Sequence, residues 1–71
     1  MTVCITGKMN RGTRANVIDE LTNTHGIDVV KSVNYRTTHL IVGDNPGSKL
    51  QAAKHRGLSI RSEDAFFKTL Q

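Results

Sequence analysis

Thr37-Thr38-His39-Leu40-Ile41-Val42-Gly43-Asp44-Asn45-Pro46-Gly47-Ser48-Lys49-Leu50 is the stretch whose reading decides the fold. His39 to Gly43 holds an unbroken apolar run, the pattern of a strand covered on both faces, as in a parallel sheet. Asp44-Asn45-Pro46-Gly47 is a cluster of turn formers. Ser48 to Arg56 then reads as a helix, with Leu50, Ala52 and Ala53 expected inward and Gly57 as its stop. A buried strand, a tight turn and a helix in immediate succession mark one unit of an α/β sheet.

Outward from that unit the same alternation continues. Upstream, Val3-Cys4-Ile5 is too short for a helix and rich in β-formers; it is closed by Thr6-Gly7. From about Thr13 to His25, Val17, Ile18 and Leu21 recur at helical spacing, with Asn10 or Thr13 as N-cap and Gly26 as the stop. Ile27 to Lys31 is a second strand, and Asn34 to Thr38 a polar connection. Downstream, Leu58 to Ile60 is a short fourth strand. Ser62 is the N-cap of a last helix carrying Ala65, Phe66, Phe67 and Leu70. The order is β-α-β-β-α-β-α, which predicts a mostly parallel sheet with right-handed crossovers and helices on both faces. No internal repeat or linker interrupts it, so residues 1–71 read as one domain.

Composition narrows the class. The chain has 71 residues, 37% of them hydrophobic, and a formal net charge of +4. A basic balance favours polyanionic partners. The basic residues are dispersed, at Lys8, Arg11 and Arg14, at Lys31 and Arg36, and at Lys49, Lys54, His55 and Arg56. Cys4 is the single cysteine, which excludes an intrachain disulfide and a cysteine zinc cluster and suits a reducing compartment. It reads as a core residue. His25, His39 and His55 lack metal-ligand spacing. No segment approaches the roughly 20 apolar residues of a membrane span, and the N-terminus has no secretory-signal layout. These features lead us to expect an intracellular protein without metal or cofactor, cytoplasmic if its source is bacterial and in the host cytoplasm if it is virus-encoded.

Ile5-Thr6-Gly7, the run from Val33 through Thr38 to Gly43, Asn45-Pro46-Gly47-Ser48-Lys49-Leu50, Ala53, Gly57 and Glu63-Asp64-Ala65-Phe66 together resemble a known family. The chain is similar over nearly its whole length to the BRCT domain at the C-terminus of bacterial NAD-dependent DNA ligases, and to that of the replication factor C large subunit. Phe66 and Phe67 stand where many BRCT domains carry Trp, which matches the ligase branch. The resemblance implies a four-stranded parallel sheet with two helices on one face and one on the other. It also implies a non-catalytic phosphate pocket formed by Thr6, the Gly7 amide and Lys49, joined in this branch by Arg14.

The residues support a phosphate reading on their own chemistry. Thr6-Gly7 ends a parallel strand at the edge where open α/β sheets place ligands. Gly7 permits close backbone approach, and its N–H can face an anion. Ser48 and Lys49 open a helix whose free N–H groups and dipole favour a phosphate. Arg14 adds a forked contact. Ser48 reads either as a ligand or, preferably, as the helix N-cap. Gly43 to Lys49 lacks the glycine and lysine spacing of a P-loop, and no nucleophile motif is present. The expected partners are nicked or 5′-phosphorylated DNA and a catalytic ligase domain or chain. The alternative is a module that recognises a phosphoprotein or docks on a partner domain; no membrane partner is expected.

Overall fold

The structure, a computed structural model, describes residues 1–70. The strands are β1 (Thr2–Thr6), β2 (Asp28–Val30), β3 (His39–Val42) and β4 (Ser59–Ser62), and the helices α1 (Arg14–Asp19), α2 (Lys49–Arg56) and α3 (Glu63–Thr69). All strand pairs are parallel, in the spatial order β2-β1-β3-β4. The expected element order and the four-stranded parallel sheet are both present.

Alternation along the two central strands explains why the sheet needs cover on both sides. In β1, Val3 and Ile5 enter one core with Ile41, while Cys4 enters the other with Leu40. The first core is completed by Val17 and Leu21 and by Phe66 and Phe67, so α1 and α3 share one face. The second is closed by Ala53 with Leu50 packed beside it, which puts α2 alone on the opposite face. Phe66 packs edge-on against both His39 and Phe67, with ring centroids 6.0 Å apart in each pair. Such pairs add about 0.5–1.5 kcal/mol to the burial of the rings.

Element ends differ from the sequence reading where backbone hydrogen bonding overrides the apolar pattern. Thr13 is the N-cap of α1, its side chain accepting from the Asn16 amide. After Asp19 the helix widens into a π-helical segment, Glu20–Thr24. The fourth strand was expected over Leu58–Ile60 and runs instead over Ser59–Ser62. The Leu58 N–H is engaged by the Ala53 carbonyl at the end of α2, which delays the strand. Ser62 both ends β4 and caps α3, accepting from the Ala65 amide. Two expectations fail on α2. Ala52 is exposed, because the eight-residue helix touches the sheet on the narrow flank of Leu50 and Ala53. Ser48 occupies the N-cap position but makes no side-chain capping bond, since its backbone is already helical (φ −62°, ψ −18°) rather than extended.

One buried carboxylate ties α3 to the chain's first loop. Glu63 is 5% exposed, and its two oxygens accept the Asn10 and Arg11 amides at 2.8 and 2.9 Å. Arg11 then lies over the Phe67 ring, 3.9 Å from its centroid, and bonds Glu20 at 2.9 Å. Replacing Glu63 with Ala leaves two amides without partners and should lower stability by roughly 2–3 kcal/mol. Glu63→Gln keeps one acceptor oxygen and should lose less. Urea unfolding midpoints that fall in the order wild type, Gln, Ala would bear this out; equal midpoints would refute the clamp.

Candidate functional site

The carboxyl edge of the sheet is built from two backbone segments in direct contact. Gly7 follows β1 with φ +84°, and a Cβ there would lie 2.6 Å from the Asp44 carbonyl oxygen. A Cβ on Gly43 would run into the Lys8 carbonyl. The two glycines allow a reciprocal pair of hydrogen bonds, Lys8 N–H to Asp44 O at 2.8 Å and Asp44 N–H to Lys8 O at 2.9 Å. The loop leading into α1 and the turn leading into α2 are thereby zipped together at the point where the chain departs to opposite faces of the sheet.

Thr6 lies beneath this zipper, 4% exposed, and its Oγ1 accepts the Gly47 N–H at 3.2 Å. The hydroxyl therefore holds the turn before α2, and its own proton is left to donate. Arg14, the first residue of α1, reaches back to the Ile5 carbonyl with one guanidinium nitrogen at 3.2 Å. That contact uses one of five donors. Lys49, the first residue of α2, is half-buried. Arg14 and Lys49 meet in one cleft of about 440 Å³ that straddles the edge, lined also by Lys31 and by Ile18, Val29 and Val30.

Of the five residues expected to form the site, this cleft brings together Arg14 and Lys49. Gly7 shares a second depression with Arg14, lined by Lys8, Met9, Gly12 and Thr13. Thr6 and Ser48 line neither of these; Thr6 stands below the turn and Ser48 is exposed one residue before Lys49.

Comparison with known proteins shows the family. Residues 1–70 match the family model of the BRCA1 C Terminus (BRCT) domain. The chain belongs to the BRCT family. Among its relatives are proteins named DNA ligase from Pseudothermotoga lettingae and Thermotoga maritima, each 41% identical over 66 residues, or 93% of this chain. Another, from Coxiella burnetii, is 37% identical over 70 residues, or 99% of the chain. The BRCT chain spans about a tenth of the length of these relatives.

Electrostatically the BRCT cleft is one-sided. Arg14, Lys31 and Lys49 converge with no carboxylate in its lining. Among the described residues the ion pairs are Arg11–Glu20 and His25–Glu20, so none of the three cations is neutralised by an acidic side chain. Ile18, Val29 and Val30 line the cleft beside the cations, of which Lys49 is half-buried and Arg14 and Lys31 are exposed. Lys31 was missed in the sequence, where no spacing rule links it to Lys49. One signal was present: it is the first polar residue after the apolar run of β2, hence at the ligand-binding edge of a parallel strand.

The Thr6–Gly47 bond is testable without any ligand. Thr6→Val removes the acceptor and should speed amide hydrogen exchange at Gly47, whereas Thr6→Ser should preserve protection. Equal exchange in Thr6→Val and wild type would show that the hydroxyl does not hold the turn.

Proposed function

We propose that this chain is the single, non-catalytic BRCT module of an NAD-dependent DNA ligase, holding the DNA backbone or a 5′-phosphate end while catalysis is performed elsewhere in the ligase. The observation that carries the reading is the convergence of Arg14, Lys31 and Lys49, without a carboxylate, in one cleft at the carboxyl edge. A terminal phosphate dianion is the ligand that such a triad neutralises best. Arg14 supplies a planar fork, while the two lysines act as point charges. The Gly7 amide, the Thr6 hydroxyl and the exposed Ser48 hydroxyl stand on the same edge and complete the proposed set of donors.

Each charge-assisted hydrogen bond contributes on the order of 1.5–3 kcal/mol, so a single anchored phosphate is a weak ligand by itself. Useful affinity comes from further backbone contacts, whose counterion release makes binding salt-dependent, and from tethering to the catalytic part of the ligase. The likeness to DNA ligases over nearly the whole chain supports this context, ligation in replication and repair.

The test is fluorescence anisotropy with nicked duplexes bearing 5′-phosphate or 5′-hydroxyl, over a salt series. Wild type should prefer the phosphate. Arg14→Ala and Lys49→Ala should each lose that preference, about tenfold per lost contact of 1.4 kcal/mol. Equal, feeble binding to both duplexes would overturn the DNA-end reading and favour the alternative, a module that binds a phosphopeptide or docks on a partner domain.

A further inference from the structure

The carboxyl edge is electrostatically divided, and the division restricts where a strand leaving the cleft can run. On the β3–β4 side, a depression of about 480 Å³ has Val42, Leu50 and Ile60 in its lining, together with Asp44, Glu63 and Asp64. Asp44 and Asp64 are exposed carboxylates, which repel a polyanion. Along α2 the opposite holds. Its sequence, Lys49-Leu50-Gln51-Ala52-Ala53-Lys54-His55-Arg56, contains no acidic residue. Lys54, His55 and Arg56 are all exposed, and none is in an ion pair among the described residues.

Position round the helix separates these cations. Lys49 and Arg56 are two turns apart, so they project from the same flank, the one that faces the cleft. The small, exposed Ala52 lies between them and leaves that flank unobstructed. Lys54 projects about 140° further round the axis, on the other flank. The helix dipole favours cations anywhere in the last turn, and therefore accounts for Lys54 as readily as for Arg56. It does not account for a cationic flank that begins inside the cleft.

We propose that the Lys49–Arg56 flank of α2 is a track for the DNA strand that continues from the phosphate held in the cleft. Lys49 and Arg56 are separated by about 10.5 Å along the helix axis. Successive phosphates of a duplex strand rise about 3.4 Å along its axis and also turn round it, so neighbours lie roughly 6–7 Å apart and next-nearest ones roughly 12 Å. With α2 lying along the strand, Arg56 with its long side chain meets the second phosphate beyond the anchored one. This rests on the reading of the cleft as the phosphate anchor, but it is read out separately.

The experiment is the salt dependence of binding to the 5′-phosphorylated nicked duplex by wild type, Arg56→Ala and Lys54→Ala. Circular dichroism should show all three folded, since both residues are exposed. Arg56→Ala should reduce the slope of log K against log salt by about 0.9, one phosphate contact. Its preference for 5′-phosphate over 5′-hydroxyl should remain, and Lys54→Ala should keep the wild-type slope. A neutral methylphosphonate at the second phosphate should weaken wild type as much as Arg56→Ala does, and weaken that variant no further. An unchanged slope in Arg56→Ala, or equal losses in both variants, would overturn the track. Loss of the 5′-phosphate preference in wild type would instead overturn the anchor, so the two failures are distinguishable.

Discussion

Two backbone segments touching at Gly7 and Gly43 are the constraint on which the rest of this molecule depends. Side chains at those positions would force apart the loop after β1 and the turn after β3. Without side chains there, the Lys8–Asp44 hydrogen bonds form and the two central strands end in register, Thr6 beside Val42. Both α1 and α2 begin within a few residues of this junction, on opposite faces of the sheet. Their N-termini, and with them Arg14 and Lys49, are therefore held relative to each other through this hydrogen-bonded junction.

The neighbouring contacts reinforce the junction from both sides. Thr6 fixes the turn before α2 through Gly47, and Glu63 fixes the loop before α1 through two amides. Glu63 illustrates how a small core accommodates a buried charge. Its carboxylate finds two backbone donors, so burial in an apolar setting does not leave it unsatisfied. With α3 tied to the first loop in this way, Phe66 and Phe67 are drawn over the sheet, and Arg11 closes above Phe67.

Charge is distributed with the same economy. The acidic side chains near the carboxyl edge are committed to the fold, as Glu63 is, or gathered on the β3–β4 side, as Asp44 and Asp64 are. Among the described residues no carboxylate pairs with the cations of the cleft. A net charge of +4 is modest for a chain of this length. Placement concentrates it, because three of the cations share one cleft with Ile18, Val29 and Val30.

Much of this was legible in the residues. The apolar run within His39–Gly43 and the succession of strands and helices pointed to a parallel sheet covered on both faces, since strands that alternate with helices pack side by side under them. Arg14 and Lys49 were expected at one site through the resemblance to the BRCT family, and the structure brings those two into one cleft. Tertiary structure alone decided the remainder. Lys31 joins Lys49 because β2 and α2 converge at one edge, a proximity that no sequence spacing records. Ala52 faces solvent and Ser48 leaves its cap unmade because the contact of α2 with the sheet and the backbone of the preceding turn set them so. Local sequence carries the periodicity that chooses helix, strand and turn; which side chains then share a cleft is set by long-range packing, whose partners lie far apart along the chain.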